Sequence, residues 1–300
     1  MMGSLRELGE DRLLARILPQ LKQTSRVVAG GGDDCAVVKF RGATEWLLLK
    51  TDCVVEGIHF VASSARAVGW KAMMRGLSDF AAMSGVPQFA LVTLVIPGKK
   101  QFTWVRDLYR GLNQAARHFD VAIVGGETSD TDGPTVVVVS AAGFVEPNRC
   151  ILRSGGKAND DLFVTGKLGG SIRRRHLNFV ARIEEARWLT ANFKVHAMMD
   201  LSDGLGADLP RLARASRLGF AVDQGALPVS RGCTVQQAIS DGEDYELLFA
   251  ISRRDRARLE RMWCRKFPKL GLTRIGCLHQ RSKTKHQTFL RGYVHFRQRR

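Results

Sequence analysis

No apolar run in the 300 residues approaches the roughly 18 that a bilayer-crossing helix needs. The longest, 136–145, is interrupted by Ser140 and Gly143. The apolar core of a secretory signal is missing too, because Met1-Met2-Gly3-Ser4 passes at once into an amphipathic segment. Cysteine is sparse and scattered: Cys35, Cys53, Cys150, Cys233, Cys264 and Cys277 include no CxxC pair. That spacing argues against a zinc site or a disulfide frame and for free thiols in a reducing compartment. A cytoplasmic protein with no membrane partner is expected. Also missing are the P-loop pattern, a GxGxxG between strand and helix, and the HRD and DFG motifs of protein kinases. A nucleotide enzyme here must use another fold.

What is present has ordinary globular composition, 45% hydrophobic and 25% charged. The charge is not ordinary: it sums to +17. Residues 1–150 hold 17 basic and 15 acidic side chains, whereas residues 151–300 hold 29 and 14. Such a surface attracts polyanions. The basic clusters are Arg173-Arg174-Arg175, the stretch 253–269 with Arg261, Arg265 and Lys266, and the tail with Arg297, Arg299 and Arg300. No RNA- or DNA-binding motif accompanies them, so nucleic-acid binding beyond nonspecific charge is not expected.

Hydrophobic periodicity predicts helices over 5–18, 65–84, 103–118, 179–192, 204–216 and 254–263. Strands are expected over 35–40, 45–51, 88–96, 121–124, 135–145, 161–165, 220–222, 245–251 and 273–278, with a further short strand running into Met199. The class is therefore α/β with mixed sheets covered by helices. A boundary at Glu146-Pro147-Asn148 divides the chain into 1–147 and 148–300.

The acids are the informative residues. Asp34 follows a glycine triplet and Asp33, Asp52 closes Lys50-Thr51-Asp52 after an apolar strand, and Asp79 lies inside an apolar helix. Glu127 follows Val124-Gly125-Gly126, Asp200 and Asp203 bracket Leu201-Ser202, and Glu243-Asp244 precedes a strand. Carboxylates in such places are costly unless paired or bound to cations. One alone is as well explained by a helix cap or an arginine partner. Asp34, Asp52, Asp79, Asp200 and Asp203 together suit several Mg²⁺ ions on phosphate oxygens. Gly125-Gly126 after a strand could bring backbone N–H groups against a phosphate, although a plain turn has the same pattern.

The motifs Gly32-Asp33-Asp34-Cys35-Ala36, Thr51-Asp52, Glu56-Gly57-Ile58-His59-Phe60 and Leu77-Ser78-Asp79-Phe80-Ala81-Ala82-Met83 resemble those of the thiamine-monophosphate kinases. So do Val124-Gly125-Gly126-Glu127-Thr128, Arg153-Ser154-Gly155, Met199-Asp200-Leu201-Ser202-Asp203-Gly204-Leu205, Gly242-Glu243-Asp244-Tyr245-Glu246-Leu247 and Gly292-Tyr293-Val294-His295-Phe296. They follow the family's order along essentially the whole chain. The resemblance implies a two-domain aminoimidazole-ribonucleotide-synthetase-like fold and a homodimer paired through the N-terminal domains, which also bind ATP and Mg²⁺. The C-terminal domain would complete the nucleotide and substrate site. The implied activity is ATP-dependent phosphorylation of thiamine monophosphate to thiamine diphosphate with several Mg²⁺ ions. By resemblance the metal ligands are Asp34, Thr51, Asp52, Asp79, Glu127, Asp200 and Asp203, with Asp52, Asp34 and Asp79 central to catalysis. The implied nucleotide contacts are Tyr109, Gly126, Glu127, Arg153 and Ser202, and the substrate contacts His59, Glu243 and Tyr293.

The chain departs from the family pattern in places. Lys50 replaces a small hydroxyl residue, Glu127 stands where Asp or Asn is usual, and Asp241 stands where Gly is usual. Two other readings are an ATP-dependent member of the same superfamily acting on a different acceptor, and a basic nucleic-acid-binding protein derived from it.

Overall fold

The computed structural model describes residues 4–173, 175–281 and 292–293. Val294, His295 and Phe296, together with Arg174, Arg297, Arg299 and Arg300, lie outside the described residues. Two short helices come first, α1 (Leu5–Leu8) and α2 (Glu10–Ile17). The single helix expected over 5–18 is divided because Gly9 sits at φ 72°, where it ends one helix and begins the next. Then come β1 (Val27–Ala29), β2 (Ala36–Val38), β3 (Trp46–Val55), α3 (Ala65–Ala82), β4 (Val86–Ile96), α4 (Phe102–His118), β5 (Ala122–Asp130) and β6 (Val136–Val145). These strands form one sheet in the order β1-β2-β3-β6-β4-β5, antiparallel except for the parallel pair β4 and β5.

The second half supplies β7 (Asp160–Thr165), α5 (Ile183–Asn192), β8 (Val195–Asp200), α6 (Leu205–Ala215), β9 (Gly219–Val222), α7 (Val235–Ser240), β10 (Leu247–Ser252), α8 (Arg256–Lys266) and β11 (Leu272–His279). Its antiparallel sheet has the order β8-β10-β7-β11-β9. The α/β class is thus what the chain adopts, with a mixed sheet in the first half and an antiparallel one in the second.

Helix α3 positions the site. It opens with Ser64 as N-cap and is buried on nearly every side. It packs against α4, against β3 and β6 of the first sheet, and against α5 and β8 of the second half. A Cβ at Gly69 would fall on the Leu108 carbonyl, and one at Gly111 on the Arg66 carbonyl. These reciprocal glycines let α3 and α4 approach closely. One apolar core runs through both halves, from Val54, Met73, Leu77 and Leu112 to Phe163, Met198 and Phe249.

Two expectations about strand ends change. β3 runs on to Val55, paired residue by residue with β6, so Asp52 lies inside a strand. β5 likewise continues to Asp130 and places Glu127 in its interior. The polar run after Leu49 obscures this continuation, because alternate residues of β3 serve two faces. Leu48 and Val54 point into the core, whereas Leu49 and Thr51 face outward and are exposed.

Candidate active site

Three acids from distant parts of the chain converge. Asp34 comes from the loop before β2, Asp79 from α3 and Asp200 from the end of β8; all are buried. One carboxylate oxygen of each lies within 4.8 Å of the others. Asp34 accepts from Arg153 Nη2 at 2.6 Å and Nε at 3.2 Å. Lys50 Nζ reaches Asp79 Oδ1 at 2.8 Å, and Ser78 Oγ donates to Asp200 Oδ2 at 2.6 Å. Burial and the Asp34 charge raise Asp200 to about 6. Burial raises Asp79 well above the usual carboxylate range; Lys50 opposes that rise and Asp200 adds to it. Crowded, desolvated acids of this kind favour a bound cation. An all-carboxylate oxygen set suits a hard ion such as Mg²⁺.

These acids adjoin a cavity of about 360 Å³, which Lys50, Asp52, Asp79, Arg153, Asp200 and Arg211 help to line. Asp52 Oδ2 accepts from Arg75 Nε at 3.1 Å, and its Oδ1 accepts from the Cys53 amide at 2.7 Å. Burial alone would raise Asp52, but Arg75 and Lys50 outweigh it and hold the carboxyl below its ordinary value. Asp203 is paired with Arg211, which also holds the buried Asp208 at 3.0 Å. Thus Asp34, Asp52, Asp79 and Asp203 each have a basic partner, and the pairing considered for single acids is realised around the cluster.

A second cavity, of about 250 Å³, shares His59, Arg75, Ser202, Asp203 and Tyr245 with the first. Its own walls include Ile58, Ile172, Glu243 and Tyr293. The loop bearing Glu243 is tied down by the Glu243 amide to Ser202 O at 2.7 Å and the Tyr245 amide to Leu201 O at 2.8 Å. Glu243 and Tyr245 are held at φ 65° and 51°, a left-handed conformation costly for side chains of this size. Tyr245 stacks on Phe179 with ring centroids 4.0 Å apart. The Tyr293 amide donates to Asp203 O at 2.9 Å, which brings 292–293 back to the site.

Behind Glu243 lies a network that the sequence reading missed. Lys71 is completely buried and donates to both Glu243 oxygens at 2.7 and 2.6 Å and to His59 O at 2.6 Å, with His176 Nδ1 also at 2.6 Å. Burial lowers Lys71 to about 8, opposed by the Glu243 charge. Burial would raise Glu243, yet the His176 hydrogen bond and Lys71 hold it at about 2. Burial and the nearby Arg75 lower His59 to about 4. Its Nδ1 accepts from the Val55 amide at 3.0 Å, so the neutral ring carries its proton on Nε2. A signal was available: Lys71, Arg75 and Asp79 recur at four-residue spacing on a largely apolar helix, which aligns them on one face.

Other expected site residues stand apart. Thr51 faces outward and lies 3.0 Å from Ser140 Oγ, on the opposite side of β3 from its neighbours Lys50 and Asp52. Glu127 is opposite Thr93 on the exposed edge strand β5. Three strand spacings, roughly 14 Å, separate it from the β3 row containing Cys53. Within one chain, Thr51 and Glu127 therefore do not join the Asp34, Asp79 and Asp200 cluster. Gly126 is on β5 too, where a Cβ would fall on the Val92 carbonyl. Tyr109, on α4, packs against the core and lines neither of the two cavities. Arg153 and Ser202 line the acid cavity as expected.

Lys50 has a measurable consequence. An ammonium about 4 Å from a cation repels each unit of its charge by about 4 kcal/mol at an effective dielectric near 20. Lys50→Thr is expected to bind Mg²⁺ at least about tenfold more tightly by isothermal titration. Identical titrations for the two proteins would mean that Lys50 swings away when the ion enters.

Residues 32–145 match the family model described as AIR synthase related protein, N-terminal domain, and residues 152–258 match the corresponding C-terminal domain. The chain is 34% identical to the thiamine-monophosphate kinase of Rhodopirellula baltica, over 95% of this chain and 97% of that protein. It is 30% identical to the Bacillus subtilis enzyme of that name, over 97% and 100%. A solved structure described as AaThiL complexed with AMPPCP and TMP superposes with a TM-score of 0.84 at 29% identity, covering 98% of this chain and 99% of that one. Identity at this level, sustained over nearly the full length of both proteins, makes this chain a member of the thiamine-monophosphate kinase family.

Proposed function

We propose that the chain transfers the γ-phosphoryl group of ATP to thiamine monophosphate, giving thiamine diphosphate and ADP. A phosphate oxygen of the acceptor forms the new bond to the γ-phosphorus. The bond to the β–γ bridging oxygen breaks, and ADP leaves with that electron pair. The observation that carries this reading is the pair of adjoining cavities, one lined with acids and the other with aromatic and aliphatic walls. Nucleotide phosphates are assigned to the first, with Arg153 and Ser202 as contacts; the acceptor is assigned to the second, with His59, Glu243 and Tyr293. Asp34, Asp79 and Asp200 would hold Mg²⁺; Asp203 would add a ligand at the rim on exchanging Arg211, and Asp52 one while keeping Arg75. Bound Mg²⁺ would neutralise charge on the phosphate oxygens as the phosphoryl group passes. The chain itself contributes fixed positive charge at Arg153 and holds the two reactants on a shared wall.

The outer face of the first sheet supports a homodimer. Leu49, Phe89, Leu91 and Val124 are exposed there beside one another. Thr51 and Glu127 share that face, and Gly126 lies beside it on β5, so pairing would bring them to the interface. The division into domains 1–147 and 148–300 is supported by the two sheets, which are built from residues 27–145 and 160–279. A cytoplasmic setting is consistent with six free cysteines and with the finding that no described helix is long and apolar enough to cross a membrane. Several arginines of the basic half are committed inward: Arg175 to Asp244, Arg182 to Glu246, Arg211 to Asp203 and Arg274 to Asp161. This disfavours a nucleic-acid surface.

The test is a product assay with purified protein, ATP, Mg²⁺ and thiamine monophosphate. Thiamine diphosphate and ADP are expected in equal amounts. Folded protein that phosphorylates a different acceptor, and leaves thiamine monophosphate untouched, would overturn the assignment.

A further inference from the structure

We infer that Arg75 is the guanidinium that receives the phosphate of the acceptor and sets the preference for a phosphorylated over an unphosphorylated substrate. This rests on the function proposed above and names a recognition element within it.

Arg75 is one of five residues common to both cavities. It alone among the described residues lining the acceptor cavity carries a fixed positive charge. His59 is neutral near pH 7, because burial and Arg75 lower it to about 4. Lys71, although close, spends its ammonium on both Glu243 oxygens and the His59 carbonyl. Lys50, Arg153 and Arg211 line only the acid cavity. A phosphate monoester held in the acceptor cavity and facing the nucleotide therefore has Arg75 as the fixed positive charge of the shared wall.

The geometry leaves donors for it. Nε is bonded to Asp52 at 3.1 Å, whereas Nη1 is 3.7 Å from Glu243 Oε1, too far for a hydrogen bond. Among the described residues the two Nη groups form no hydrogen bond, so they can serve two phosphate oxygens at once. Meanwhile Asp52 holds the guanidinium from one side, and α3 fixes its backbone. The other walls of the cavity suit the rest of the molecule: Tyr293, Ile58 and Ile172 offer apolar surface, and Asp241 offers negative charge to a cationic ring.

Affinities for thiamine monophosphate and for thiamine, measured by isothermal titration, test the assignment independently of turnover. The wild-type protein should prefer the monophosphate. Arg75→Gln should weaken monophosphate binding by about 10- to 100-fold, the range for losing hydrogen bonds to a charged group, and leave thiamine binding unchanged. Arg75→Lys should fall between, since an ammonium lacks the planar fork. Circular dichroism and a melting curve establish folding; if the glutamine variant does not fold, the lysine variant carries the comparison. A folded variant that keeps the wild-type ratio of the two affinities overturns the inference, even when wild-type turnover of thiamine monophosphate is normal. A wild-type protein that binds neither compound overturns the proposed function as well.

Discussion

Asp79→Asn is expected to lower turnover at least about a hundredfold, a barrier increase of about 2.7 kcal/mol, while the protein stays folded. The side chain keeps its size and can still accept from Lys50, which lies 2.8 Å away. What it loses is one of three buried carboxyl groups gathered within 4.8 Å. Removing it relieves like-charge crowding in the metal-free protein but also deprives Lys50 of its carboxylate partner, so the melting temperature should change little. The same change weakens Mg²⁺ binding, and with it the stabilisation of charge during transfer. A large loss of turnover beside a nearly unchanged melting temperature is not what a general structural defect would produce. Wild-type turnover of this variant at saturating Mg²⁺ would remove Asp79 from the metal site. From the sequence, Asp52 is the residue expected to be least replaceable, with a comparable loss on conversion to Asn. The structure places Asp52 against Arg75 instead, outside the tight cluster, and the largest effect moves to Asp79.

The acids were legible because each breaks a pattern. Asp79 interrupts an apolar helix, Asp34 follows a glycine run, and Asp200 ends a buried strand. Polar residues that stand out against a hydrophobic background can be found without knowing what they face. The basic partners were much less visible, because a lysine or arginine on a helix usually means solvent. Lys71 and Arg75 read that way until α3 is seen covered on nearly all sides. Short elements hid for a different reason. The six residues of α7, Val235–Ser240, hold too few turns for periodicity, although Thr234 and Gln237 form a capping box that marks the start. Distance was the least legible property. Motif order along the chain matched a family, yet order alone does not separate Thr51 from Asp52, which are neighbours in sequence but face opposite sides of a sheet.

Glu243→Ala should destabilise the protein by about 3–5 kcal/mol, the cost of leaving a buried charge without its partner. Lys71 has no exposure, and Glu243 supplies its only carboxylate contact among the described hydrogen bonds. Without that carboxylate, the buried Lys71 ammonium is left with no anionic partner beside the Arg75 charge, and His176 loses its acceptor 2.8 Å away. The melting temperature should drop by roughly ten degrees, at about 2–4 °C per kcal/mol for a large domain. Glu243→Gln should cost less, since the amide oxygen can still accept from the ammonium. The double variant Lys71→Met with Glu243→Gln should recover part of the loss, because removing both partners of a buried pair costs less than removing one. Acceptor binding should remain weak in all three proteins, as Glu243 lines the cavity itself. If Glu243→Ala melts at the wild-type temperature, then Lys71 is either neutral or hydrated in the folded protein. The ion pair would then contribute nothing to holding the 241–246 loop in place.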